Sequence, residues 1–452
     1  MTCLAKRMLS MRITRTAPLA ALLLGLGSAL PAQAMTLTEA LQRAREHDPT
    51  VPLFLATHEA ERELGRQITG TLKPDVSLDG NVARYKNDTR SQFFGSFDEE
   101  YSGYGAGISL RQPVYRFDWS ARRKQGAALD SQADLNLRQR TLQLFTRIAE
   151  RYFGVLIAQD EMHLAEAEAK AIRESFEDTR KRYDVQLVPG TDLKEAQARD
   201  DLAQARLISA RASLTTAQDA LEESTGSGRA ALPSLPETAA LPPLEPASAD
   251  AWVAKARAAN PAVLLSQEAV TVAKAQYTAA RANRLPSVDA VASYRRDDDS
   301  DSLIGVERDS GRVGLELLVP IYQGTTSARQ RETEARFKAA EADAVRVAAE
   351  TERVTRQSFR TLEAAYAQAR AFELAVASAI TAEEATRHGY DAGTRTITDV
   401  LNARSATIQA QRDLSRTRYN LLLNWLQLKQ LAGELGVDEF QKIDQLLRRE
   451  GA

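Results

Sequence analysis

Two short phrases repeat one set of side chains able to bond one another: YDVQLVPGTDLKEA (183–196) and YDAGTRTITDVLNA (390–403). They align without a gap, pairing Tyr183 with Tyr390, Asp184 with Asp391, Thr191 with Thr398, Asp192 with Asp399 and Ala196 with Ala403. Only the second follows its Tyr-Asp pair with a glycine and an arginine, Gly393 and Arg395. Hydroxyls, carboxylates and a guanidinium make hydrogen bonds and ion pairs, and an arginine's planar fork can bond a carboxylate and a hydroxyl at once. Covalent chemistry is signalled nowhere. The histidines (47, 58, 163 and 388) are scattered without metal spacing. DDDSD opens like a calcium loop with Asp297, Asp299 and Asp301, but its sixth position is Ser302 and its twelfth Arg308, where glycine and glutamate are needed. No phosphate-cradling glycine loop and no nucleophile signature occurs. The expectation is a protein that is not an enzyme and carries no cofactor and no metal.

A formal net charge of −2 gives no basic surface for nucleic acid, and 43% hydrophobic residues with a mean hydropathy of −0.37 is no helical membrane protein. Residues 1–34 read as a secretory signal peptide. Lys6, Arg7, Arg12 and Arg15 precede APLAALLLGLGSAL (17–30), too short to span a bilayer, and AQA (32–34) offers a cut after Ala34. The one cysteine, Cys3, leaves with it, so the exported protein is expected to have no disulfide, no thiolate site and no cysteine-linked lipid. After residue 34 no apolar run approaches the length of a spanning helix.

The repeat extends over the whole chain. QPVYRFDWSAR (112–122) matches VPIYQGTTSAR (319–329) at the same offset of 207 positions as the opening phrases, while DPTV (48–51) matches NPAV (260–263). Between the copies, ALPSLPETAALPPLEP (231–246) carries five of the chain's fifteen prolines and reads as a linker. The expected units are 35–230 and 250–435, joined by the Pro-rich 231–249 and followed by a tail, 436–452, of no assigned structure.

Each unit shares one grammar. A helix runs up to Pro74 or Pro286. Two alternating stretches follow: in DVSLDGNVAR, Val76, Leu78 and Val82 oppose Ser77, Asp79 and Asn81; in GRVGLELLVP, Val313, Leu315 and Leu317 oppose Arg312, Gly314 and Glu316. These predict hairpins at about 75–115 and 287–322, strands with one apolar and one polar face, and the polar stretches beyond Arg84 and Arg295 read as loops. Proline-free runs then predict long helices at about 119–225 and 325–435. Phe337, Ala340, Ala344, Val347, Thr351, Val354 and Ser358 recur at steps of three and four, a coiled-coil seam. The run from Trp119 to Tyr183 would be a rod of roughly 100 Å. Four strands of about ten residues could cross a bilayer when tilted, but they cannot close by themselves, so they must be pooled from several chains or pack on protein. Aromatics at the strand ends (Tyr101, Tyr104, Tyr115, Phe117, Trp119, Tyr322) suit an interfacial belt.

With its tandem hairpin-plus-long-helix units, YDAGTRTITDVLNA, and RYNLLLNWLQLKQLAGEL (418–435), the mature chain resembles the TolC family of outer-membrane channels. That resemblance implies an α+β membrane protein in which three protomers share a 12-stranded β-barrel continuous with a periplasmic α-helical barrel. It implies an exit duct for efflux or type I secretion, opened at its periplasmic tip by an inner-membrane transporter and its adaptor. The expected partners are two further copies, that transporter, that adaptor and outer-membrane lipid. A soluble periplasmic coiled-coil scaffold or adaptor is the alternative.

The resemblance also implies roles for the opening phrases, which sit where long helices turn back. Residues matching Thr191 and Asp192 bond residues matching Tyr390 and Arg395 and hold the tip shut. Asp399 matches an acidic position lining the closed constriction, where three carboxylates would raise one another's pKa and favour cations. The family often has a second aspartate where this chain has Asn402, which implies one acidic ring and weaker cation block. Gln186 stands where a glycine is common.

Overall fold

The computed structural model describes residues 34–91, 95–227, 231–236, 239–299 and 305–447. The signal-peptide reading, apart from Ala34, and the loop residues Asp301 and Ser302 lie outside them. Two similar halves follow each other. The first is α1 (Leu37–His47), α2 (Thr50–Gly70), β1 (Asp75–Ser91), β2 (Gly95–Tyr115), α3 (Trp119–Asp184) and α4 (Gly190–Thr225). The second is α5 (Ala249–Ala259), α6 (Pro261–Ala282), β3 (Ser287–Asp299), β4 (Val306–Leu318), α7 (Gly324–Asp391) and α8 (Ile397–Leu431), with α9 (Val437–Leu447) at the end.

The repeated DPTV and NPAV are helix breaks with built-in caps. A residue before proline avoids helical backbone, so α1 and α5 stop there. The Asn260 side chain then accepts the N–H of Ala262 at 2.9 Å, with Pro261 opening α6. Asp48 accepts the N–H and hydroxyl of Thr50 at 2.9 and 2.6 Å and the Arg147 guanidinium at 2.9 Å. Burial pushes the Asp48 carboxyl up, but Thr50 and Arg147 outweigh it and hold it below its usual range.

The strands form one antiparallel sheet in the order β1-β2-β3-β4. Its central pairing, from Tyr104 opposite Asp298 to Tyr115 opposite Val288, joins the two repeats. Both hairpins run further than hydropathy suggests. β1 and β2 pair out to Ser91 opposite Gly95, and β3 and β4 out to Asp299 opposite Val306, through segments expected as loops. Out there the pairing is supported by Arg84 and Lys86 on Glu100 at 3.3 and 3.2 Å and by stacked Tyr85 and Tyr101, centroids 5.0 Å apart. Strands polar on both faces leave no period-two hydropathy signal.

α3 and α7, of 66 and 68 residues, are rods of about 100 Å. α3 is the organiser, packing against α2, α4, α6 and α8. The main core lies midway along it, where Ile148, Tyr152, Phe153 and Leu156 meet Leu421, Leu422 and Leu426 of α8 and Leu37 and Leu41 of α1. On α7 the buried face is Thr351, Thr355, Phe359, Leu362, Ala365 and Ala369; of the expected seam only Thr351 is buried, and Phe337, Ala340, Ala344, Val347, Val354 and Ser358 are half-buried, the buried face lying one residue past the last two. The Pro-rich stretch is strapped across this core. The Leu235 N–H donates to the Tyr419 hydroxyl (3.3 Å), Arg418 to the Ala239 carbonyl (2.9 Å), Tyr366 to the Pro242 carbonyl and Trp252 to the Pro246 carbonyl (2.8 Å).

At the far end of the rods the two opening phrases are the same turn written twice. Leu187 N–H donates to the Arg182 carbonyl and Thr394 N–H to the Gly389 carbonyl, both at 2.8 Å. Equivalent residues Gln186 and Gly393 both take left-handed backbone, φ 60° and 75°. Gln186 therefore keeps the turn that glycine makes in the second copy, at a cost on the order of 1 kcal/mol.

The tail is helical. α9 buries Phe440, Ile443 and Leu447 against the main core. Its Asp444 carboxylate accepts the N–H groups of Leu37 and Thr38 at 2.7 and 3.0 Å, capping α1 together with Thr36, which accepts from Glu39 at 3.1 Å. Replacing Asp444 by Ala strips partners from two helix N–H groups and should cost about 1–2 kcal/mol. Hydrogen exchange of α1 amides should quicken by roughly 5- to 30-fold. Wild-type protection of α1 would show that Asp444 does not hold it.

Candidate functional site

The sheet has two chemically opposed faces. Val76, Leu110, Ala292 and Val313 lie in register on one, as do Leu78, Ile108 and Tyr294. These side chains are not covered: Leu78 is 82%, Val82 83% and Val313 88% exposed. An exposed apolar face this regular needs hydrocarbon or a partner against it. The apolar segment of β1, from Val76 to Val82, is roughly 20 Å long at about 3.3 Å per residue, close to the apolar band of a membrane barrel. Beyond it come Arg84, Lys86 and Glu100, and an Arg296–Glu307 pair at 3.1 Å. At the other end Tyr115 and Phe117 pack edge to face at 5.1 Å, and Tyr322 lies exposed.

The opposite face is a mesh of charges. Arg295 of β3 reaches over β2 to Asp79 (2.5 Å) and Asn81 of β1 and holds Asp297 of its own strand at 2.7 Å. Arg111 of β2 holds Asp289 of β3 and Glu316 of β4, both at 2.9 Å. Together the two arginines tie all four strands. Gly105 makes room for the first, since a Cβ there would strike the side chains of Asp297, Arg295 and Asn81.

The helical tip gathers the residues singled out from the opening phrases, in an arrangement of its own. Thr191 donates its hydroxyl to Asp192 at 3.2 Å, in the first turn of α4. Tyr390 lies beneath the Arg182 guanidinium, 5.4 Å from ring centroid to Cζ. Among the described residues no hydrogen bond or ion pair joins Thr191 or Asp192 to Tyr390 or Arg395 within the chain, and none engages the Arg395 guanidinium. Asp399 closes a capping box at the start of α8: it accepts the N–H and hydroxyl of Thr396 at 3.0 and 2.9 Å, and its own N–H donates to the Thr396 hydroxyl at 3.2 Å. The Thr396 hydrogen bonds, helped by the charge of Arg395, hold the Asp399 carboxyl below its usual range. Within one chain that is opposite to the direction expected of three crowded carboxylates. A carboxyl lowered in this way lends its stability above the ordinary value of 3.8, and loses it only as pH falls further. Asn402 accepts from Arg199 of α4 at 3.0 Å.

Three side chains that sequence reasoning passed over complete the tip: Arg182, Arg199 and Glu168. Glu168 is buried on α3 between Arg206 of α4 at 3.1 Å and Arg412 of α8 at 3.7 Å. The only advance signal was local, an acid one turn away on the same helix: Asp178 for Arg182 and Glu195 for Arg199. No metal-binding group of acids and histidines occurs among the described residues.

This combination of two-faced hairpins and long helical rods is found in known proteins. The outer membrane efflux protein family profile matches residues 40–227 and 252–434. The alkaline protease secretion protein AprF of Pseudomonas aeruginosa is 32% identical, over 89% of this chain and 85% of its own. The outer membrane protein TolC of Vibrio cholerae is 30% identical, over 91% and 93%. Among solved structures, the outer membrane protein VceC of Vibrio cholerae superposes with a TM-score of 0.75 at 18% identity, covering 89% of this chain and 97% of that one. The open-state MtrE channel of Neisseria gonorrhoeae gives 0.69 at 19%, covering 89% and 90%. These similarities place the chain in the outer membrane with its helices in the periplasm, and set aside a soluble scaffold. The chain is a member of the outer membrane efflux protein family, a family of channel proteins.

Proposed function

We propose that three copies of this chain form one export duct, each giving four strands to a single twelve-stranded barrel and its long helices to a periplasmic tunnel. The observation that carries this reading is the sheet itself. One face is bare and apolar, the other is charged, and among the described residues both edge strands, β1 and β4, have an unpaired side. Edges of this kind are not tolerated in lipid, and closure with further copies removes them. Apolar side chains left exposed on the helices, such as Leu374 of α7 and Leu53 of α2, are what neighbouring copies would cover.

The relatives named for protease secretion and for efflux support a duct that works with an inner-membrane transporter and a periplasmic adaptor. Its lipid contact is the bare face of the sheet. The tip is its gate. Because the Arg395 fork is uncommitted in its own chain, we assign its partners, Thr191 and Asp192, to the neighbouring copy, with Tyr390 at the same junction. Asp399, held at the start of α8 by its cap with Thr396, forms the cation ring, and Asn402 leaves that ring single.

Arg395→Ser should raise single-channel conductance in planar bilayers, because it unlatches the tip. Conductance equal to the wild type would remove Arg395 from the latch. Asp399→Asn removes the charge while keeping a side-chain oxygen at the cap, and should weaken block by multivalent cations added on the periplasmic side. Undiminished block would refute the ring.

A further inference from the structure

Where the sheet passes into the helices, two adjoining cavities of about 340 and 830 Å³ lie over α6, walled by α3 on one side and α7 on the other. Ser287 and Leu318, paired in register at the ends of β3 and β4, line the smaller one. Two residues further into the sheet come Asp289 and Glu316, the partners of Arg111, so by the period of two the cavity opens on the charged face. In the proposed barrel that face is the lumen, and the inference rests on that reading.

The floor of the groove is small, Ala279 and Ala280 of α6, and its walls carry charge. The charged groups lining the two cavities are four guanidiniums, from Arg116, Arg122, Arg329 and Arg336, and two carboxylates, Asp118 and Glu332. Asp118 is buried and shared, 3.1 Å from Arg116 and 2.5 Å from Arg122. Glu332 is matched by Arg336 at 2.7 Å. Arg329 lines both cavities, and among the described residues no hydrogen bond or ion pair engages its guanidinium. Each copy therefore keeps two formal positive charges here, in a chain whose formal net charge is −2. Deeper in the sheet the balance is reversed, since Arg295 and Arg111 each face two carboxylates. The side-chain amides of Gln276 and Asn283 add neutral donors beside the arginines. Guanidinium forks and amides around an open groove suit the oxygens of a phosphate or carboxylate, and repel cations.

We propose that this groove is an oxyanion-binding collar inside the duct. Arg329 is its free fork, Arg116 and Arg122 with their single shared carboxylate supply the opposite wall, and the two amides bond remaining oxygens. Small multivalent oxyanions passing from the helical tunnel into the barrel are held there, with a charged group in each cavity. Three copies place three such grooves at one level of the duct, far from the Asp399 ring at the tip.

The test is the conductance of the purified, reconstituted oligomer in planar bilayers at fixed ionic strength, with inorganic tripolyphosphate added from the barrel side. Tripolyphosphate should block the wild-type current, and Arg329→Gln should raise the half-blocking concentration by about threefold to tenfold, as losing one charge-assisted contact would. Arg329→Lys, which keeps the charge, should lose less. Arg331→Gln removes an exposed arginine that lines neither cavity and lies on the opposite side of α7, and should match the wild type. Arg329 is itself exposed, so every variant should assemble at wild-type oligomer size. Orthophosphate, too small to engage both cavities, should block only at several-fold higher concentration; equal block by the two anions would overturn the two-cavity site. A conducting wild type that tripolyphosphate leaves unchanged, or a block that Arg329→Gln does not weaken, would overturn the collar and leave the duct standing. If Arg331→Gln weakens the block as much as Arg329→Gln, the effect is one of overall charge and the collar fails. A reconstituted protein that passes no current would remove the duct and the collar together.

Discussion

A backbone N–H or C=O that meets hydrocarbon without a partner costs several kcal/mol, and every residue of an open strand edge would bear that cost. Among the described residues this chain folds four strands into a sheet, leaving one side of β1 and one side of β4 unpaired. Much else follows from that constraint. The apolar face is not turned inward: α3 and its neighbours form a core elsewhere, and among the described residues no helix lies over Leu78 or Val313. On the proposed reading the sheet is a fragment of a larger surface, and the rest of that surface comes from other copies.

The charged face shows how a fragment keeps its register until it is completed. Two arginines span it, Arg295 linking β3 to β1 and Arg111 linking β2 to β3 and β4. The central β2–β3 pairing joins strands nearly 200 residues apart in sequence, so no tight turn can set its alignment. The apolar alternation on the other face restricts it, and the Arg111–Asp289 pair across β2 and β3 supports it. The helical end repeats the strategy, with arginines again reaching between repeats, now over Tyr390 and to Asn402.

Much of this architecture was legible in the residues. The duplication, the apolar alternation at Val76, Leu78 and Val82 and the proline-free runs all mapped onto elements, because burial period and proline chemistry act locally. The outer reaches of the hairpins were not, since Arg84, Lys86 and Glu100 stabilise pairing through charge and leave no hydropathic period. The tail was missed because an eleven-residue helix earns its place by packing and by lending Asp444 to a distant helix start. Likewise, proline content in 231–246 predicts stiffness but says nothing of Tyr419, Arg418 and Trp252 waiting to bind its backbone. At the tip the phrase alignment located the turn, and even the substitution of Gln186 for glycine left its backbone unchanged. Which arginine meets which acceptor depended on helix rotation, which no spacing rule sets to the needed accuracy.

The most direct test of shared closure is a cysteine pair across the open edges, one on β4 at Leu315 and one placed in turn at positions 76 to 82 of β1. Within one chain these edges are three strand spacings apart, about 14 Å, beyond the reach of a disulfide. Oxidation in intact outer membranes should therefore give a ladder ending at three linked chains for at least one β1 position. Chains that stay monomeric at every position, with each variant present in the membrane at wild-type levels, would contradict a barrel built from several copies.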